Sequence, residues 1–314
     1  MAASGKGPLL RVLAALLLTR DAGSQRFTAA EVKPHWQCNT AAGQSRVLEH
    51  VAGLTSQRTG IVALIQFEFA LPQPSGYTAF GAACVAGHAD SVVALVEESQ
   101  FSVVAGIGAT VLGNYSAMPY LSGQPPVSGS MCIADPSRSG ERAYAGAVLR
   151  HAGTGEELCA VAGTFPHCYE AWQPQFLTDI ERECQGRPLL LVVDTNAACE
   201  TQGPLASRAV SLEDMAKNHS AAWGHCSDPS VSNASPTCCH DLGQGHPEAR
   251  YWYDRTAICG GGSVEDFQVL PSFVCGTDQE HKFTTAVIQL REQEAHAARK
   301  PTVIEHDGAV RIVA

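Results

Sequence analysis

Short apolar runs alternate with segments of helical spacing along most of the chain. Residues 61–69 and 189–194 are apolar runs of the length of a buried strand, whereas residues 44–54 and 90–100 place apolar side chains at helical spacing. The two periods follow one another repeatedly and no internal repeat is visible. The pattern therefore predicts alternating strands and helices, and the length suits one large domain or two ordinary ones.

The remaining pattern adds further strands and one long excursion. The hairpin over residues 143–150 and 157–163 has a Gly-containing turn, and the polar stretch over residues 201–244 holds at most one helix, near residues 212–222. A second helix is predicted over residues 171–184 and a long loop over residues 118–140. The other predicted strands cover residues 32–39, 101–107, 250–261, 264–274, 280–290 and, in the tail, 303–313, with a short segment at 77–85.

Composition and charge limit the classes of partner only weakly. The chain has 314 residues, 45% hydrophobic and 17% charged, with a formal net charge of -10. A basic surface that grips nucleic-acid phosphates is therefore not expected. An acidic enzyme can still act on phosphate esters when divalent metal ions supply the positive charge.

The N-terminus and the cysteines predict a secretory protein. Residues 1–23 have basic residues, a short apolar run and then small residues, as in a signal peptide. All twelve cysteines lie beyond it, and three sequons begin at Asn114, Asn218 and Asn233. The alternative is a cytoplasmic protein with unpaired buried thiols. No apolar stretch is long enough for a membrane-spanning helix, and a monomer is expected.

The segment Cys238-Cys239-His240 does not have the spacing of a zinc site. It leaves open a cysteine hydrolase that uses Cys238 or Cys239 with His240. Adjacent residues on one loop rarely reach the geometry that such an enzyme needs, so a cysteine hydrolase is disfavoured.

Polar side chains collect at the ends of the predicted strands, where sites in sheet proteins usually form. Carboxylates, amides and imidazoles are together the residue types found where a hard cation binds beside a general acid or base. The structural alternatives are an Asx turn at Asp194 and Asn196, a surface ion pair at Asp254, a loop histidine at His167, and a Glu68 that faces solvent on an edge strand. The full set is Asn39, Glu68, His167, Asp194, Asn196, Asp254, Glu280 and His281.

The order of these blocks resembles the endonuclease/exonuclease/phosphatase superfamily, the fold of pancreatic deoxyribonuclease. The blocks Asp194-Thr-Asn196 and Tyr253-Asp254-Arg255 carry most of the resemblance. The resemblance implies an α/β (α+β) four-layer sandwich, two packed mixed β-sheets flanked by helices, over residues 32–292, followed by a tail over residues 293–314. It also implies that Asp194 and Asn196 face the same side, since strand side chains repeat every two residues.

The resemblance also implies a metal centre. Glu68 would ligate Mg²⁺ or Mn²⁺, with Asn39 and Glu280 completing or orienting the ligand shell. Two departures affect these ligands. Phe67 separates Gln66 from Glu68, so that Gln66 is an alternative ligand, and Glu280 stands where the family has Asp.

The catalytic roles follow the same resemblance. Asp194 would be the general base toward water, and Asn196 would hold the phosphate or the metal. His281 and His167 would stabilise or protonate phosphoryl oxygens, and Asp254 would orient His167 or assist the metal. His167 follows Thr164-Phe-Pro, where the family has Thr-His, which is a third departure.

The expected function is a divalent-metal-dependent phosphoesterase that hydrolyses a phosphodiester or phosphomonoester with an activated water. The alternative is a catalytically weakened member of the fold that acts as an extracellular binding protein. The substrate would be a phosphate ester, and nucleic acid, nucleotide and phospholipid or inositol headgroups all suit the same catalytic end, because surface loops decide between them.

Overall fold

The computed structural model describes much of the chain between residues 26 and 313. The described residues are 26–34, 38, 40–67, 71, 73–84, 90–113, 131–135, 140–166, 174–196, 212–213, 223–233, 235–238, 251–271, 274, 281–291, 302–306 and 309–313. Among them, no helix is both long and apolar enough to span a bilayer.

The described elements are mostly strands. The strands are β1 (Arg26–Val32), β2 (Ile61–Ile65), β3 (Tyr77–Cys84), β4 (Asp90–Glu97), β5 (Phe101–Ile107), β6 (Val111–Gly113), β7 (Cys132–Asp135), β8 (Gly140–His151), β9 (Glu157–Thr164), β10 (Leu189–Asp194), β11 (Cys226–Ser227), β12 (Asp254–Cys259), β13 (Gly262–Val269), β14 (Thr284–Leu290), β15 (Thr302–His306) and β16 (Ala309–Val313). The helices are α1 (Ala41–Ser56) and α2 (Pro174–Cys184), with a 3-10 turn at Pro229–Ser232.

Two mixed sheets form the body of the fold. The first has the order β13-β14-β1-β2-β4-β3-β6, and the second has the order β11-β12-β10-β9-β8-β5, with β7 also paired to β8. Each sheet contains one parallel pair, β1 with β2 and β9 with β10, while the other pairs in these two sheets are antiparallel. A separate hairpin joins β15 and β16.

The apolar alternation on each strand explains the layers. On β1, Phe27 and Ala29 face the core between the sheets, whereas Ala30 and Val32 face the outer core under α1. Helix α1 begins where the Thr40 hydroxyl accepts a hydrogen bond of 3.1 Å from the Gly43 N–H. It buries an apolar stripe, with Val47, Val51 and Leu54 in that outer core.

Three disulfides join neighbouring elements, one of them between the two sheets and the others within the second sheet or from it to α2. Cys84–Cys132 connects β3 to β7, Cys159–Cys184 ties α2 to β9, and Cys226–Cys259 ties β11 to β12. Cys38 and Cys238 are also disulfide-bonded, and no described cysteine is free. Two packed mixed sheets with few helices confirm the predicted sandwich.

Two secondary-structure predictions near the site are wrong. The first strand spans Arg26–Val32 rather than residues 32–39, and residues 90–97 form strand β4 instead of a helix. Strand β4 lies between β2 and β3 and is buried along its whole length. A strand buried on both faces reads as a continuous apolar run, which by chance also satisfies helical spacing.

Candidate functional site

A group of buried charged side chains lies at one end of the two main sheets. Strands β1 and β10 end there, and β4, β12 and β14 begin there, because each of these three runs antiparallel to a neighbour that ends at the same edge. The buried charged and imidazole side chains at these strand ends are Glu31, Lys33, Asp90, Arg142, Asp194, Asp254 and His281.

The alternation on β1 carries two of these side chains inward. Phe27 and Ala29 face the core between the sheets, and Glu31 and Lys33 continue the same alternation. Their exposed fractions are only 1% and 3%. The apolar stripe of β1 therefore ends in a carboxylate and an ammonium that remain inside the protein.

Asp194, at the end of β10, is fully buried and has both oxygens engaged. Its Oδ2 is ion-paired with the Lys33 ammonium, and its Oδ1 accepts a hydrogen bond of 2.9 Å from the Asn196 N–H. Asn196 has a φ of 43°, and its amide Nδ2 donates to the Phe165 carbonyl at 3.0 Å. The strand ends at Asp194, so the Asx-turn alternative describes this segment, and strand alternation does not place Asn196.

Asp254 and His281 form a hydrogen-bonded pair. The His281 Nδ1 lies 2.8 Å from both carboxylate oxygens of Asp254, and the Asp254 N–H donates to the Thr237 hydroxyl at 3.0 Å. Asp254 is the cross-strand partner of Asp194. The pair is therefore fixed beside Asp194 by the register of β10 and β12.

The other ring nitrogen of His281 faces a sulfur atom. The Cys238 Sγ lies 3.1 Å from Nε2, and Cys238 forms isolated backbone bridges with both His281 and Tyr251. Tyr251 stacks on Tyr253, whose ring centroid is 6.3 Å from that of His281. Cys238 thus contacts His281, whereas its sequence neighbour His240, the partner considered for a cysteine hydrolase, lies outside the described residues.

The protonation of this pair follows from burial and charge. Burial lowers the pKa of His281 although the Asp254 carboxylate acts to raise it. Burial alone would raise the pKa of Asp254, but His281 and Lys33 lower it below its usual value. The arrangement favours a neutral imidazole that carries its proton on Nδ1 and an ionised Asp254.

Glu31 has no such partner. Neither carboxylate oxygen accepts a hydrogen bond, and the Thr284 hydroxyl, directly across the β1–β14 pair, is also buried without a partner. Burial, and then the charge of neighbouring Asp254, raises the pKa of Glu31 well above its usual value. Glu31 and Asp254 can share a hydrogen bond only when one of them carries a proton.

Two further charges surround the pair of carboxylates. Burial lowers the pKa of Lys33 to about 8, while the charges of Asp254 and Glu31 oppose this effect. Burial raises the pKa of Asp90 to about 6 although Arg142 acts to lower it. Arg142 lies 4.0 Å from Asp90 and 3.0 Å from Asp135.

The described residues fit a hard divalent cation. Asp194, Asp254 and His281 each offer a ligand atom, and these atoms lie within 4.8 Å of one another. The unpartnered Glu31 carboxylate adds oxygen donors, which Mg²⁺ and Mn²⁺ prefer. In a second group of metal-ligating residue types, Cys84, Cys132 and Glu141, the two sulfurs are joined in a disulfide and are not available as thiolates.

The structure brings together four of the residues that the sequence singled out. Asp194, Asn196, Asp254 and His281 meet at this end of the sandwich. The other four, His167, Asn39, Glu68 and Glu280, lie outside the described residues. Gln66, the alternative to Glu68, follows the end of β2 with a φ of 51°.

Sequence reasoning missed Glu31 and Lys33. The run Phe27, Ala29, Glu31, Lys33 alternates with a period of two and contains the signal that would have found them. Starting the first strand at residue 32 placed Glu31 ahead of it and hid this alternation.

No family model and no curated protein sequence matches the chain. Solved structures do match its fold. An endonuclease/exonuclease/phosphatase from Bacteroides vulgatus superposes with a TM-score of 0.55 at 13% identity, covering 85% of this chain and 99% of that chain. An endonuclease/exonuclease/phosphatase family protein from Bacteroides thetaiotaomicron gives a TM-score of 0.51 at 12% identity, covering 86% and 97%.

D. rerio TDP2 in complex with a single-strand DNA product gives a TM-score of 0.52 at 10% identity, covering 84% of this chain and 99% of that chain. At these identities the similarity concerns the fold. These superpositions show that the chain has the endonuclease/exonuclease/phosphatase fold.

Proposed function

We propose that the protein is a divalent-metal-dependent hydrolase of phosphoric esters. The observation that carries the proposal is the Asp254–His281 pair, buried beside Asp194 at the end of the sandwich, with a Nδ1–Asp254 distance of 2.8 Å. A carboxylate that holds one ring nitrogen fixes the tautomer and aims the other nitrogen at a substrate.

His281 is the group that meets the phosphoryl oxygens in this proposal. Asp254 accepts the Nδ1 proton, so Nε2 exchanges a proton or a hydrogen bond with the substrate. The Cys238 sulfur, 3.1 Å from Nε2, belongs to a disulfide and has no proton to donate, so a phosphoryl oxygen can take its place beside a protonated Nε2. His167, which lies outside the described residues, is proposed to act on the same oxygens.

Asp194 is proposed to accept a proton from the attacking water. Its contacts with Lys33 and the Asn196 N–H hold the carboxylate in one orientation. Asn196 is proposed to hold the phosphate or the metal near the turn that its Phe165 contact fixes. A water that meets Asp194 would have to share the Oδ2 atom with Lys33.

A divalent cation, when bound, supplies positive charge to the phosphoryl oxygens and lowers the pKa of a bound water. Among the described residues, Glu31, Asp194 and Asp254 offer carboxylate oxygens for it. Asn39, Glu68 and Glu280 remain the ligands predicted from the sequence.

The substrate is proposed to be a phosphate ester of a nucleotide, nucleic acid or lipid headgroup. The solved structure of TDP2 with a single-strand DNA product supports the nucleic-acid choice by analogy of fold alone. The net charge of -10 argues against an extended basic binding surface. Charge neutralisation by the metal at the site would then carry most of the phosphate recognition.

Secretion is proposed on the basis of the disulfides. Three join described cysteines and no described cysteine is free, which suits an oxidising compartment. Of the three sequons, Asn233 is a poor acceptor, because its Nδ2 donates to the Phe267 carbonyl at 3.1 Å. Glycans are therefore proposed at Asn114 and Asn218.

The test is Mg²⁺-dependent hydrolysis of bis-p-nitrophenyl phosphate and of plasmid DNA. Wild type should hydrolyse at least one of them, EDTA should abolish the activity, and His281→Gln should lose it. His225→Gln is the matched control, because the His225 side chain is 76% exposed. Equal rates for wild type and His281→Gln would refute the enzyme proposal.

The alternative is a binding protein that has kept the fold, and the Lys33–Asp194 ion pair favours it. A carboxylate with both oxygens engaged is a weak general base. In that case wild type would show no metal-dependent hydrolysis of either substrate, while His281→Gln would remain folded.

A further inference from the structure

The buried carboxylates at this end of the sandwich differ in how their charge is compensated. Asp90 lies near Arg142 and accepts a hydrogen bond from the Ala143 N–H at 3.2 Å. Asp194 is ion-paired with Lys33. Of these four buried carboxylates, Glu31 and Asp254 are the two that form no ion pair with a described Lys or Arg side chain.

Glu31 is a buried carboxylate without a hydrogen-bond donor. Its exposed fraction is 1%, and neither oxygen has a partner. A carboxylate in this position is unfavourable unless it gains a proton or a cation. Both Glu31 and its cross-strand neighbour Thr284 therefore have oxygen atoms available to a ligand that sits between the sheets.

Lys33 removes Asp194 from the set of carboxylates that need an external cation. Its ammonium has three N–H donors, and Asp194 is the acceptor that the structure gives it. The side chains of Lys33 and Asp194 are 3% and 0% exposed, so water does not compete for either charge. What remains is two negative charges, on Glu31 and Asp254, which equal the charge of one divalent ion.

We propose that one divalent cation binds between Glu31 and Asp254, with the Thr284 hydroxyl as a further oxygen ligand, and that Lys33 takes the place of a second cation at Asp194. The inference rests on the metal requirement of the proposed function and adds ligands and a stoichiometry to it. It differs from a site built on Asp194, Asp254 and His281, because Asp194 is already ion-paired with Lys33.

The site explains why a lysine is buried among carboxylates. A second divalent ion at Asp194 would have to displace the ammonium, which would then lie unpaired in the core at a large cost. One ion and one lysine neutralise the three carboxylates Glu31, Asp194 and Asp254 together.

The experiment is Mn²⁺ binding to the full chain after treatment with EDTA and dialysis, followed by electron paramagnetic resonance of free Mn²⁺ and by calorimetry. Wild type is expected to bind one Mn²⁺ per chain. Glu31→Gln should weaken Mn²⁺ binding roughly 100-fold. Replacing even an outer-shell partner of a metal ligand lowers metal affinity about 10–100-fold, and Glu31 is a proposed ligand itself. The matched control is Glu97→Gln, a buried glutamate that is paired with Arg58 away from this end.

Three further variants separate the parts of the proposal. Thr284→Val keeps the side-chain volume and should weaken Mn²⁺ binding, with an unchanged circular dichroism spectrum. Lys33→Met should bind a second Mn²⁺ per chain, because Asp194 then lacks its cation, whereas Lys33→Arg should still bind one.

Wild-type affinity in Glu31→Gln, or two Mn²⁺ per chain in wild type, would overturn the proposal. Hydrolysis by wild type together with undiminished Mn²⁺ binding by Glu31→Gln would leave the proposed function standing and remove this inference. Binding of one Mn²⁺ per chain that depends on Glu31, without any hydrolysis, would support this metal site and refute the proposed function.

Discussion

Replacing Lys33 by methionine tests whether the Lys33–Asp194 ion pair holds the end of the sandwich together. The variant keeps most of the side-chain length but leaves the Asp194 carboxylate in the core without its cation. Both side chains are almost fully buried, so solvent and salt do not screen the pair. Removing one partner of a buried ion pair costs about 3–5 kcal/mol, several times the value of an exposed pair.

For a domain of this size, each kcal/mol shifts the melting temperature by about 2–4 °C, so we expect a decrease of roughly 6–20 °C. The assay is urea and thermal unfolding in EDTA without reductant, followed by circular dichroism. The double variant Lys33→Met with Asp194→Asn should recover much of the loss, because no unpaired charge then remains.

Arg150→Met is the control, since Arg150 is exposed and its pair with Glu157 lies at the surface. A change of less than about 1 kcal/mol is expected for it. If Lys33→Met unfolded at the same urea concentration as Arg150→Met, the argument that Asp194 depends on Lys33 would be refuted.

Three other predictions concern the site and its surroundings. Asp254→Asn should lower the rate of phosphodiester hydrolysis roughly 100-fold, because His281 loses the acceptor that fixes its tautomer, while the exposed Asp266→Asn should keep the wild-type rate. Dithiothreitol should reduce hydrolysis by opening the Cys238 disulfide that abuts His281; unchanged activity after complete thiol release, measured by mass spectrometry, would contradict this. Burial alone would raise the pKa of Glu97, but hydrogen bonds from Arg58 and Ser99 lower it below its usual value. Ionised Glu97 therefore stabilises the fold at pH values above its unfolded pKa of about 4.3, and this contribution is lost as the pH falls further. The difference in unfolding free energy between wild type and Glu97→Gln should therefore shrink with acidification, and a constant difference would count against the assignment.

Strand ends were the part of the site that sequence could locate. Asp194, Asp254 and His281 each stand beside an apolar run, and the edge of a sheet brings such positions together. Their hydrogen bonds could not be predicted, because the contact of Cys238 with His281 depends on a segment whose sequence is polar and irregular. Strand alternation was also expected to place Asn196 beside Asp194, but β10 ends at Asp194 and a turn follows.

Glu31 and Lys33 show the opposite case. Glu31 lies in β1 and Lys33 directly follows it, and the beginning of this strand was placed six residues too late, at residue 32 instead of Arg26. A charged residue in a strand is normally assigned to the solvent face, since buried Glu and Lys are rare without a partner. The partner of Lys33 is 161 residues away in sequence, and no local pattern contains that information.

That long separation has a consequence for how the charged cluster forms. Lys33 directly follows β1 of one sheet and Asp194 ends β10 of the other, so neither sheet can assemble the cluster by itself. A fragment that stops before residue 189 lacks β10, and Glu31 and Lys33 would then lie on an apolar surface without Asp194. The Lys33–Asp194 ion pair can therefore form only when the two sheets pack against each other.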